Sequence, residues 1–165
     1  MIPAVIYTIT VLLANYTATW FLPLPIFGQV AVGTLFFGLT FDQRDRLHHN
    51  RGRKAVYVVI GITAFLSVLE SYFLKVPGRI IFASLVAIVL SEAADTEIYQ
   101  KVIQRPWLER VARSNAVSIP LDSTIFNCIA FVGVFPAIEI LSLIFGEVVV
   151  KSLISGLVAF WKVRE

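Results

Sequence analysis

The chain has 165 residues, 58% hydrophobic and 15% charged, with a mean hydropathy of +0.81 and a formal net charge of +3. Soluble domains are nearer half apolar and a quarter charged, so a single membrane domain is expected, its apolar residues gathered in long blocks. One cysteine, Cys128, excludes a disulfide framework and an all-cysteine metal cluster, and basic residues confined to short segments between apolar blocks suit a membrane surface better than nucleic acid.

Six spans are predicted, giving an all-α, polytopic six-transmembrane-helix bundle. The first covers 3–22 and is closed by "LPLP"; it lacks a basic leading region, so a cleaved signal peptide is not expected. The second, 26–41, is short and rich in Gly and Phe. The third and fourth cover 55–74 and 78–94. The fifth, 119–135, is stopped by Pro136, and the sixth, 137–161, is long enough to cross with tilt. Together they make residues 1–165 one integral membrane domain.

Charge in the connections is lopsided. Arg44, Arg46, Arg51, Arg53 and Lys54 follow span two, Lys101, Arg105, Arg110 and Arg113 follow span four, and Lys162 and Arg164 close the chain. The opposite side carries Lys75 and Arg79. The positive-inside rule puts both termini and both long connections in the cytoplasm of an inner-membrane protein.

Ionisable groups inside spans cost roughly 2.5–3.5 kcal/mol each on insertion scales, so they ask for a reason. Asn15, Glu70, Glu92, Asp95, Asp122, Asn127, Glu139, Glu147 and Lys151 all fall within or beside spans. Glu92, Asp95 and Tyr99 are three and four apart and share one helix face, as do Asn115, Ser118 and Asp122. Thr8, Asn15 and Thr19 line one side of span one, and Glu147 can pair with Lys151 four residues on.

Structural explanations compete for each group singly. Glu147 and Lys151 can neutralise one another, and Ser118 can cap span five with Asp122 in its first turn. Glu70 and Glu139 read as water-facing, Asn15 as a helix–helix hydrogen bond, Cys128 as core, His48 and His49 as solvated, and Glu97 as a plain water-facing acid. Ala14-x-x-x-Ala18 is a small-residue packing face. Polar groups sent inward from four or five spans are explained most simply by a shared polar cavity. No HExxH, GxSxG or P-loop is present and neither histidine lies in a span, so neither an enzyme nor an ATP-hydrolysing chain is expected, and no cofactor or metal.

"LLANYTAT", "LFFGLTFDQRDR", "SEAADTEIYQKV", "SNAVSIPLDSTIFNCIAF" and "GEVVVKSLISGLVAF" occur in an order that resembles the VUT, or vitamin-uptake-transporter-like, family. The matched elements are Asn15 and Tyr16, Asp42 with Arg46, Asp95 with Tyr99, Ser118 with Asp122, and Lys151. The resemblance implies a queuosine precursor transporter that imports 7-deazaguanine bases such as preQ0 and preQ1. A carboxylate can accept the neighbouring N–H donors of a guanine-like base, and Asn or Lys can donate to its carbonyl.

The substrate-binding residues expected on this basis are Asn15, Glu92, Asp95, Asn115, Asp122, Glu147 and Lys151, with Tyr16, Trp20 and Tyr99 as stacking candidates. By the predicted boundaries Asp42, Asp95 and Asp122 fall near the cytoplasmic end, so the acids form either the site or an inner gate. A carrier of another small polar solute, or the substrate-binding subunit of an energy-coupling-factor importer docked on an ATPase module through Ala14-x-x-x-Ala18, are the alternatives. A homo-oligomer is equally open.

Overall fold

The computed structural model describes residues 2–24 and 28–162. Ile26, where the second span was expected to begin, and the basic residue Arg164 lie outside the described residues, as does the side chain of Lys162.

Helix α1, Ile2–Tyr16, ends six residues short of the expected span. Pro23 has no backbone N–H and forces its predecessor out of the helical region, so the chain runs on as a ribbon. Strand β1, Phe21–Leu24, pairs antiparallel with β2, Gly28–Ala31, with Phe21 opposite Ala31 and Pro23 opposite Gln29. A two-stranded ribbon is all edge, which is where a strand tolerates proline. This hairpin is the one pair of strands among the described residues.

Helix α2, Gly33–Arg51, continues ten residues past the predicted end of span two. "DQRDRLHHN" contains neither glycine nor proline, and the helix stops only at Gly52, whose φ of 77° suits glycine and whose N–H bonds the His48 carbonyl at 2.8 Å. Helix α3, Arg53–Leu74, ends where Lys75 turns left-handed. Helix α4, Gly78–Lys101, runs seven residues further than expected, and α5, Trp107–Phe131, starts twelve residues earlier. The connection expected at 95–118 thus shrinks to residues 102–106, and Pro120 lies inside α5 rather than at its start. Helix α6 is Ala137–Lys162.

Helix α4 packs along α5 and α1 along α2, while α2 and α5 both pack on α6, and α3 lies across α1 and α4. Two glycines set the closest approaches. A Cβ on Gly33 would overlap the Ala14 carbonyl, and one on Gly38 would lie 2.6 Å from Ile154 side-chain carbons. Helix α2 is therefore drawn against both α1 and α6.

The resulting bundle is polar inside and apolar outside. Buried polar or charged side chains are about as numerous as buried apolar ones, and Phe65, Tyr72, Phe73, Ile138, Leu157 and Trp161 point outward. Lipid as the solvent rewards that arrangement. Helices Arg53–Leu74 and Ala137–Trp161 are long and apolar enough to cross a membrane, and Ile2–Tyr16 is apolar but shorter. Helices α2, α4 and α5 carry inward-facing charges that lower their average hydropathy.

Candidate functional site

The hairpin end of the bundle encloses a narrow cavity. Asn15 from the last turn of α1, Gly33, Thr34 and Phe37 from the start of α2, Ser84 and Ala87 from α4, Asp122 and Phe126 from α5, and Glu147 and Lys151 from α6 line it, with Ala31 of the hairpin. Its volume of about 20 Å³ has room for roughly one water.

Lys151 is the cation of this cavity. Its ammonium donates to Asp122 Oδ2 and Glu147 Oε2, both at 2.8 Å, and to the Ser123 hydroxyl at 3.1 Å. It also lies 5.2 Å from the centre of the Phe37 ring. All three donors of the ammonium are used. Two carboxylates around one buried cation leave one negative charge in excess.

A second ionic cluster lies deeper along α4. Arg44 is fully buried and faces three carboxylates: Glu92 at 2.6 Å, Asp95 at 2.7 Å and its own neighbour Asp45 at 3.0 Å. The planar guanidinium fork suits several carboxylates at once, where an ammonium acts as a point charge. Ser118 of α5 donates to the other oxygen of Asp95 at 2.7 Å. Ser91, next in the chain to Glu92, donates to Asp122 Oδ1 at 3.3 Å. Beyond Arg44, His48 bonds Gln100 at 2.9 Å and packs on Tyr99, whose ring also meets Trp107 and Arg110. The sequence from cavity to the basic end is therefore Lys151 cluster, Arg44 cluster, aromatic layer.

The expected residues divide between these layers. Asn15, Asp122, Glu147 and Lys151 line the cavity; Glu92 and Asp95 belong to the Arg44 cluster. Asn115 does neither: its amide donates to Ser155 at 2.7 Å and ties α5 to α6. Asn15 also realises the helix–helix alternative, donating to Ser67 of α3 at 3.0 Å, one of two rungs with Thr8–Thr63. Glu147 pairs with Lys151 as the spacing predicts, and Asp122 joins them.

Several expectations are corrected. Ser118 does not cap a helix, because α5 starts eleven residues before it. Glu70 is buried and bonded by Asn15, not solvated. His48 is buried because α2 carries it inward under Tyr99. Cys128 is exposed on α5. Tyr16 and Trp20 pack edge-to-face on each other and are exposed, so they do not line the cavity. Ala14 and Ala18 are buried inside the bundle, which removes them as a surface docking face.

The residue that sequence reasoning missed is Arg44. It was read as one more basic loop residue, although Phe37, Phe41, Arg44 and His48 recur at helical spacing and mark an inward face. Glycine at 52, the first helix-stopping residue after Gly38, was the signal that α2 runs on.

A profile of the family described as "putative vitamin uptake transporter" matches residues 68–163. The chain belongs to the vitamin uptake transporter family. The family's description is that of a transporter and not of an enzyme. It is similar to the "Probable queuosine precursor transporter" of Bacillus subtilis (strain 168), with 30% identity across 68% of this chain and 61% of that protein. The chain thus spans about three fifths of the length of the curated relative it matches. No solved structure matches. The family match takes in α4, α5 and α6, hence Glu92, Asp95, Asn115, Asp122, Glu147 and Lys151, while Asn15 and Arg44 precede it.

Proposed function

We propose that this transporter imports queuosine precursors, 7-deazaguanine bases such as preQ0 and preQ1, across the inner membrane into the cytoplasm. The six helices cross the bilayer with both termini cytoplasmic, so the hairpin end faces out and the basic end faces in. The observation that carries the reading is Lys151, buried with Asp122 and Glu147 on the wall of a cavity that Asn15 also lines. The name of the Bacillus relative supports the substrate class.

The chemistry is complementary to a guanine-like edge. Asp122 or Glu147 accepts the adjacent N–H donors, and Lys151 or Asn15 donates to the ring carbonyl. Phe37 and Phe126 offer apolar faces to the flat ring. Glu92 and Asp95, held by Arg44, close the cavity on the cytoplasmic side, and Asn115 keeps α5 and α6 together. A cavity with room for one water is a closed state, so binding a bicyclic base requires the helices around Phe37 to part.

Thermal unfolding of the purified protein in detergent tests the substrate class. A ligand at about 100 times its dissociation constant stabilises by about 2.7 kcal/mol, so preQ0 or preQ1 should raise the midpoint by several degrees. Lys151→Met should abolish that rise. A rise with unrelated polar solutes and none with either base contradicts the assignment.

A further inference from the structure

We propose that import is coupled to protons, carried by the carboxylates gathered on Arg44. The inference rests on the import reading and adds its driving force. Five buried carboxylates, Asp45, Glu92, Asp95, Asp122 and Glu147, share two buried cations, Arg44 and Lys151. The fully ionised set would hold three uncompensated negative charges in a lipid-facing bundle. A dry interior does not sustain that, whereas bound protons neutralise it.

A second observation is independent of the charge count. The Tyr7 hydroxyl of α1 is buried without a hydrogen-bond partner among the described residues, within electrostatic reach of Glu92, Arg44 and Asp122. Glu92 Oε1 and Asp45 Oδ2 are buried without donors among the described residues. A proton on either carboxylate removes the charge that its undonated oxygen otherwise buries.

The groups around Glu92 are Tyr7 from α1, Arg44 and Asp45 from α2, Asp95 on its own helix, and Asp122 from α5. Through Asp122 it communicates with Lys151 and Glu147 of α6. On α3, Glu70 is engaged by Asn15; towards the basic end His48 is held by Gln100.

In the outward-open state one carboxylate of this set takes a proton from outside, and Arg44 keeps its remaining partners. Opening to the cytoplasm wets the cluster, the proton leaves to water, and the carboxylate returns to Arg44. Only an O–H bond forms and breaks, and the co-substrate is the external proton.

The test uses proteoliposomes with a pH dye inside and preQ0, a neutral base, outside. Wild type should acidify the lumen in step with preQ0 entry. An acid-outside gradient of one pH unit should drive about tenfold accumulation at one proton per base. Entry of preQ0 without acidification overturns the coupling and leaves import standing, and no entry of preQ0 or preQ1 overturns both. Infrared spectra of the purified protein at neutral pH should show a protonated carboxylic-acid band, weakened in E92Q or D45N. Absence of the band, or a band that neither variant alters, also overturns the proposal.

Discussion

Arg44 faces three carboxylates, and Lys151 two, with little else to screen them. Removing one partner of a buried ionic set is far more damaging than removing an exposed one, because the remaining charges stay buried. Arg44→Met should therefore destabilise the protein by about 3–5 kcal/mol in thermal unfolding, while Arg44→Lys, lacking the fork, should fall between. Glu97 is the contrast: its pair with Arg53 is half-exposed on both sides, and Glu97→Ala should change stability by less than about 1 kcal/mol. Equal losses at Arg44 and Glu97 would contradict the buried network. The three-and-four spacing of Glu92, Asp95 and Tyr99 exposed their common face in the sequence, and Glu97 is the water-facing acid of that stretch. Arg44 was illegible for a physical reason, since a charge next to other charges looks solvated until something shows that its helix continues.

Helix α2 brings Arg44 and Phe37 to the other helices, and its placement depends on two missing side chains. Gly38→Ala would put a Cβ 2.6 Å from Ile154 carbons, and overpacking of that kind costs about 1–3 kcal/mol. The double variant with Ile154→Ala should lose less than the sum of the two single changes, measured as unfolding midpoints in a double-mutant cycle. Strict additivity would mean that α2 and α6 are not in contact there. The apolar centres of α3 and α6 were legible because those helices are greasy nearly throughout. The ends of α2, α4 and α5 were not, because inward-facing charges mimic the polarity of loops. Helix α1 stops six residues before "LPLP", and local proline chemistry could not say that a hairpin would follow.

The whole bundle turns its polar residues inward and leaves apolar side chains such as Phe65 and Leu157 outside. Its basic residues Arg51, Arg53, Lys54, Lys101, Arg105 and Arg113 gather where α2 meets α3 and where α4 meets α5, opposite the hairpin. With that end in the cytoplasm, a cysteine at position 75 in a Cys128→Ala background should react with a membrane-impermeant maleimide in intact cells, and one at position 104 only after lysis. The reverse pattern would invert the topology. The central claim, import of queuosine precursors through the Lys151 cavity, is tested most directly in a strain that cannot make preQ0. Such a strain, given limiting precursor, should regain queuosine in its tRNA when it expresses the wild-type chain and should fail to with Lys151→Met at equal expression. Queuosine levels that ignore the chain, or full recovery with Lys151→Met, would contradict the account.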